Sequence, residues 1–187
     1  MPLSTLDSVA ALVVIDLQKG IVGTPTAHPT AQIVENSALL ARAFRERGLP
    51  VVLVNVDAGA PGRVDAPPNF KPTAGWSDLV AELDQQPTDH LVTKKRWGAF
   101  TGTSLDQFLR DRKVTQIVLT GIATSAGVES TARGAHELGY NVVLVEDAMT
   151  DRVVEAHENT VKRIFPRLGE VTTTQAMLAA LGRNASG

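Results

Sequence analysis

Cysteine is missing from this chain of 187 residues. That absence removes disulfides, thiolate metal ligands and cysteine nucleophiles together. Charge of either sign is scarce in excess: the formal net charge is -2, which gives no broad electrostatic reason to bind nucleic acid or an anionic membrane surface. The one compact basic run, Lys94-Lys95-Arg96, is too short to change that. No apolar stretch approaches the ~18–20 residues that cross a bilayer, and the N-terminus lacks the pattern of a secretory leader. A cytoplasmic protein with no nucleic-acid and no membrane partner is therefore expected. The four histidines, His28, His90, His136 and His157, fall at none of the close spacings of a zinc site.

The rest is ordinary for a globular chain, with 43% hydrophobic and 20% charged residues, and residues 1–187 fit one domain with room for a substantial core. Ala10 to Ile15 is a continuous apolar run closed by Asp16, as in a strand buried on both faces. A helix follows from Ile33 to Phe44 and stops at Gly48. Val51 to Val56 reads as a second strand, Leu91 to Lys94 as a third, Ile117 to Thr120 as a fourth, Asn141 to Val145 as a fifth and Glu170 to Thr173 as a short sixth. Between them, helices are expected from Trp76 or Ser77 to Leu83, from Thr103 to about Arg112, from Val128 to Leu138, from Val153 to Phe165 and from Gln175 to Leu181, with a frayed tail from Arg183. Such alternation predicts a three-layer α/β/α sandwich around a mostly parallel sheet of about six strands.

The chain is organised around Gln116 to Arg133, where a buried strand turns through Thr120-Gly121-Ile122-Ala123-Thr124-Ser125-Ala126-Gly127 into a helix. Gly121 lets the backbone leave the strand, Gly127 leaves room for a close approach, and the unpaired N–H groups of the first turn can hold an anion or a developing oxyanion. Asp16, Lys94 and Gly127 all fall at carboxyl ends of predicted strands, which brings them to one rim, where open α/β sheets place ligands. An Asp beside a Lys in a partly dry cleft is an acid/base device; the blander reading is a strand-end carboxylate and a surface lysine. Glu129 and Arg133 are spaced to pair on the elbow helix, and His157 shares an apolar face with Val154, Val161 and Ile164, as a packing or interface residue.

Three blocks carry a resemblance. Leu12-Val13-Val14-Ile15-Asp16-Leu17-Gln18, Thr93-Lys94-Lys95-Arg96-Trp97-Gly98-Ala99-Phe100 and Gly121-Ile122-Ala123-Thr124-Ser125-Ala126-Gly127-Val128-Glu129-Ser130-Thr131-Ala132-Arg133 together resemble the isochorismatase-like (cysteine hydrolase) superfamily over nearly the whole chain. In its amidase members a nucleophilic Cys stands where this chain has Gly127. The isochorismatases carry Gly there, and their matching Asp protonates a vinyl-ether carbon before water captures the oxocarbenium ion. The resemblance implies strand order 3-2-1-4-5-6, a homodimer or homotetramer, a cis Ile122–Ala123 peptide, and an oxyanion-binding pair formed by the N–H groups of Ala123 and Gly127.

As catalytic residues the resemblance implies Asp16, Lys94, Gly127 and Ala123. Around them Gln18, Asp57, Arg63, Trp76, Trp97, Phe100 and Ser125 are expected to contact a small, anionic or ring-bearing substrate, Arg63 by bidentate pairing and Trp76 by stacking. Trp97 and Phe100 would wall the pocket beside Lys94, and the hydroxyl of Ser125 would bond to the loop backbone. Asp57 to Gly75 is a long loop with four Pro and three Gly. Metal-binding nicotinamidases carry an Asp and two His there; Asp57 to Arg63 has no His, so neither a metal nor any other cofactor is expected. Three readings stay open: a cofactor-free hydrolase of the isochorismatase type, an amide hydrolase with Ser125, Thr124 or water replacing the thiol, and a non-catalytic binding or assembly member.

Overall fold

Apolar β-branched runs build the centre of the molecule. The computed structural model describes residues 3–66 and 73–183. Its strands are β1 (Ala10–Ile15), β2 (Val51–Val56), β3 (His90–Lys94), β4 (Gln116–Ile122), β5 (Asn141–Thr150) and β6 (Glu170–Thr172). They form one sheet in the order β3-β2-β1-β4-β5-β6, with every neighbouring pair parallel. The order reverses between β1 and β4, the place where open parallel sheets leave a crevice at their carboxyl ends.

A short helix, α1 (Lys19–Val22), follows β1, and alternation along β1 divides the interior. Ala10, Leu12 and Val14 pack with Ile33, Leu40 and Phe44 of α2 (Thr30–Glu46) and Met177 and Leu181 of α6 (Thr174–Arg183). Ala11, Val13 and Ile15 face the other way, onto Leu105 and Leu109 of α3 (Leu105–Asp111), Ala132 and Ala135 of α4 (Glu129–Glu137), and Phe165. Helices therefore cover both faces of the sheet. All six β1 residues are buried, as the unbroken apolar run requires.

Three expectations on elements are corrected. No helix forms from Trp76 to Leu83, where only Ala81–Leu83 makes a 3₁₀ turn. The chain there bonds instead to the segment after β1: Val80 N–H donates to Leu17 O, Lys19 N–H to Asp78 O and Gly20 N–H to Trp76 O. Those partners leave its backbone unavailable to a helix of its own. The helix expected to Phe165 is α for Val154–Asn159 (α5) only, widens to a π-helical turn over Thr160–Ile164 and tightens at Phe165–Arg167, where Pro166 has no N–H to continue the ladder. α3 begins at Leu105, whose N–H donates to Thr103 Oγ1 at 3.2 Å, with Ser104 as its N-cap, and it ends at Asp111, next to the expected Arg112. Finally, β5 runs on to Thr150 rather than ending at Val145, past a register shift against β4. The tail after Arg183 and residues 67–72 of the long loop lie outside the described residues.

Candidate active site

Four segment ends meet at the carboxyl edge of the sheet: the residue after β1, the end of β3, the elbow after β4 and the residue after β5. They border a cavity of about 830 Å³. Asp16 follows β1 with φ 53°, a left-handed conformation that Asp tolerates better than most residues. Gly121, opposite Ile15 in the β1–β4 register, holds φ 119°, and a Cβ there would collide with the Ile15 backbone. Only glycine lets the two strands close at this point. The Ile122–Ala123 peptide is cis, and Thr124–Val128 forms a π-helical turn that leads into α4.

Asp16 and Lys94 are 4% and 2% exposed. Lys94 Nζ donates to Asp16 Oδ2 at 2.7 Å and to the carbonyl of Arg96 at 3.2 Å. Asp16 Oδ1, also buried, has no partner among the described residues. Burial raises the Asp16 carboxyl to about 6, against the opposing pull of the Lys94 ammonium. The carboxyl is thus half-committed: one oxygen is held by a cation, the other is left for something the protein does not supply. Gly127 sits beside it. A Cβ at Gly127 would lie 3.2 Å from Asp16 Oδ2 and 3.0 Å from Ile15 Cγ2, closer than side-chain carbons pack without a shift.

Asp16, Lys94, Ala123 and Gly127 line the cavity together, and Trp76 and Trp97 line it as well. Trp76 lies over Gly20, where a Cβ would strike the indole. Trp97 lines the cavity with Lys94 and is itself 66% exposed. The five other expected contacts fall outside the lining. Gln18 is fully buried and ties the walls together: its amide donates to Val56 O at 3.0 Å and accepts from Val56 N–H at 2.8 Å. Asp57 and Arg63 are exposed; the Asp57 N–H closes the β2–β3 end by donating to Lys94 O at 3.2 Å. Phe100 turns away and stacks on Tyr140, ring centres 6.0 Å apart, over Gly134. Ser125 gives its hydroxyl to the Asp151 side chain, not to the loop backbone, at 2.8 Å.

Asp151 is the residue that sequence reasoning missed. It is 6% exposed, lines the cavity and collects three donors: Oδ2 accepts from the Ser125 N–H and hydroxyl at 2.8 Å each, and Oδ1 accepts from the Arg152 N–H at 2.8 Å. It therefore fixes the elbow to the end of β5. Arg152 and Arg96 also border the cavity. Behind the elbow, Thr124 Oγ1 bonds to His157 Nδ1 at 2.8 Å, and the His157 ring meets that of His28 edge-on at 4.6 Å. Burial and the neighbouring His28 hold His157 below the usual imidazole range. The Glu129–Arg133 pair forms on α4 at 2.9 Å. Among the described residues, no group of three His, Asp or Glu could hold a metal ion, and no helix is long and apolar enough to cross a membrane.

The chain as a whole is similar to known proteins. Residues 10–176 match the isochorismatase domain. The uncharacterized isochorismatase family protein YwoC of Bacillus subtilis is 43% identical over 176 residues, which cover 90% of this chain and 92% of that one. An isochorismatase family protein from Burkholderia thailandensis superposes with a TM-score of 0.92 at 46% identity, covering 97% of this chain and 98% of the other. Ureidoacrylate amidohydrolase RutB of Variovorax paradoxus is 33% identical over 178 residues, 79% of this chain and 71% of its own length. The chain belongs to the isochorismatase family of hydrolases.

Proposed function

We propose that this hydrolase cleaves a small anionic enol ether without a covalent intermediate, with Asp16 as the proton donor. The observation that supports this best is the Asp16 carboxyl itself: buried, bound to Lys94 through Oδ2, unpartnered at Oδ1 and bordered by a glycine where a thiol would otherwise stand. A carboxyl near 6 keeps roughly a tenth of its molecules protonated at neutral pH, enough to serve as a general acid.

In this reading Asp16 transfers its proton to the terminal vinyl carbon, and the ether oxygen lone pair closes an oxocarbenium ion. Lys94 stabilises the carboxylate that remains. Water adds to the cation and returns a proton to Asp16. The hemiketal then collapses: its carbon–oxygen bond to the leaving group breaks with the electron pair on oxygen, Asp16 relays the hydroxyl proton to that oxygen, and a carbonyl compound and an alcohol depart. The N–H groups of Ala123 and Gly127 steady the hemiketal oxygen as its proton leaves. Net consumption is one water.

RutB is named for an amide substrate, which motivates the second reading, an amide hydrolase with a replaced nucleophile. Ser125 serves it poorly, because its hydroxyl is spent on Asp151 and lies outside the cavity lining. The deciding experiment is turnover of isochorismate, nicotinamide and an N-carbamoyl amide by the wild type, with Asp16→Asn as control. Isochorismate turnover that disappears in the variant is expected. Turnover of either amide but not of isochorismate would replace this reading, and turnover of none would favour a binding member.

A further inference from the structure

The cavity holds more cationic than anionic side chains, and two of the cations are uncommitted. Lys94, Arg96 and Arg152 line it against Asp16 and Asp151. Lys94 is taken by Asp16. Asp151 spends both oxygens on the Ser125 and Arg152 N–H groups and the Ser125 hydroxyl, so it does not pair with either guanidinium. Among the described residues neither arginine has a carboxylate within ion-pair reach, although six other ion pairs do form. The Arg96 guanidinium makes one hydrogen bond, to Lys95 O at 3.0 Å. For Arg152 the fixed part is the backbone, pinned by the carboxylate of its own neighbour, while the side chain stays exposed at the rim.

We infer that Arg152, assisted by Arg96, is the specificity-determining group for a substrate carboxylate. The guanidinium fork matches a carboxylate in two parallel hydrogen bonds, and at the edge of a half-enclosed cavity such bonds are stronger than in bulk water. Asp151 then has two roles in one contact set: it holds the elbow beside the reacting atoms and sets the start of the arginine that grips the other end of the molecule. Arg63, the arginine that sequence reasoning favoured, is exposed and outside the lining. The inference rests on the proposed acid chemistry only for the position of the reacting bond; carboxylate binding stands or falls by itself.

Both tryptophans of the chain, Trp76 and Trp97, line this cavity, so intrinsic fluorescence reports on its occupancy. Benzoate and its uncharged isostere benzamide are titrated into wild type, Arg152→Gln, Arg152→Lys, Arg96→Gln and Asp16→Asn. Benzoate is expected to bind wild type and Asp16→Asn at least about tenfold more tightly than benzamide. Arg152→Gln should remove that preference, Arg152→Lys should keep part of it and Arg96→Gln should reduce it. A benzoate preference unchanged in Arg152→Gln, or no binding of benzoate to wild type up to tens of millimolar, overturns the inference. Either result leaves isochorismate turnover and its dependence on Asp16 as a separate question, so the two proposals fail separately.

Discussion

A half-buried and a fully buried ion pair lie at opposite ends of the same sheet and are built differently. At the amino-terminal end, Arg45 at the close of α2 holds Asp89, just before β3, through two hydrogen bonds of 3.0 and 2.8 Å. Asp89 Oδ2 also accepts the Gln86 N–H at 2.8 Å, and the guanidinium reaches Leu83 O at 3.1 Å. Both carboxylate oxygens are in use; Arg45 Nη1 alone lacks a partner. At the carboxyl end, Asp16 has a single cationic contact, an orphaned oxygen and a left-handed backbone. A saturated pair locks an element in place, whereas a pair with one oxygen unanswered stores desolvation cost at a point where a substrate can relieve it.

Removing the acid at each end, as Asp16→Asn and as Asp89→Ala, should separate the two kinds of pair. Asp16→Asn keeps a residue that tolerates the left-handed backbone and should lower isochorismate turnover by about 10²–10⁴-fold, the usual worth of a positioned general acid, as measured by steady-state kinetics. Asp89→Ala should leave the Michaelis constant and turnover nearly unchanged yet cost about 1–3 kcal/mol of stability in urea denaturation, because it strands a half-buried guanidinium and the Gln86 N–H. A swapped outcome, with activity lost at Asp89 and stability alone lost at Asp16, would erase the contrast.

Gly127→Cys sharpens it further. The new Cβ must displace Ile15 or the Asp16 carboxyl, so about 1–3 kcal/mol of stability should be lost to overpacking. The thiol should react with iodoacetamide, for which the cysteine-free wild type is the blank, and amide turnover should stay low. Efficient hydrolysis of nicotinamide or an N-carbamoyl amide would instead mark the pair as a remnant of amidase machinery.

A smaller effect lies in the pH dependence of stability. The Asp16 carboxyl is raised from 3.8 to about 6 on folding, so the folded state binds its proton more tightly. That contribution is complete below 3.8 and is lost as pH rises through 6. His157 has the opposite sign: its lowered value favours the neutral ring, so its contribution is complete above 6.5 and is lost as pH falls. The stability difference between wild type and Asp16→Asn should therefore fall between pH 3.8 and 6 in urea melts, while that between wild type and His157→Gln should rise with pH.

The elements legible in the sequence are those whose pattern is local. The apolar run of β1, the closing Asp16 and the glycine-punctuated elbow announce themselves by residue type and order. Asp151 and Arg152 did not, because β5 carries Glu146 and Asp147 in its middle, and a polar pair after an apolar run reads as a strand end. Asp147 is polar there for a distant reason: its Oδ1 accepts from the N–H and hydroxyl of Thr174, at 2.7 and 2.8 Å, at the start of α6. Gln18 likewise lies two residues after Asp16, at the strand end where substrate contact is expected, yet its amide is consumed by the Val56 backbone, which no spacing reveals. Phe100 lies six residues after Lys94, but the turn between them points the ring at Tyr140.

The most direct test of Asp16 as the acid is kcat/KM for isochorismate as a function of pH, which reports the ionisation of the free enzyme and, for a coupled pair, of Asp16 and Lys94 together. The expected profile is flat in acid and falls by about tenfold per pH unit above about 6, as the proton is lost. A profile that rises through 6, which would make the carboxylate a base, or no turnover at any pH, would contradict it.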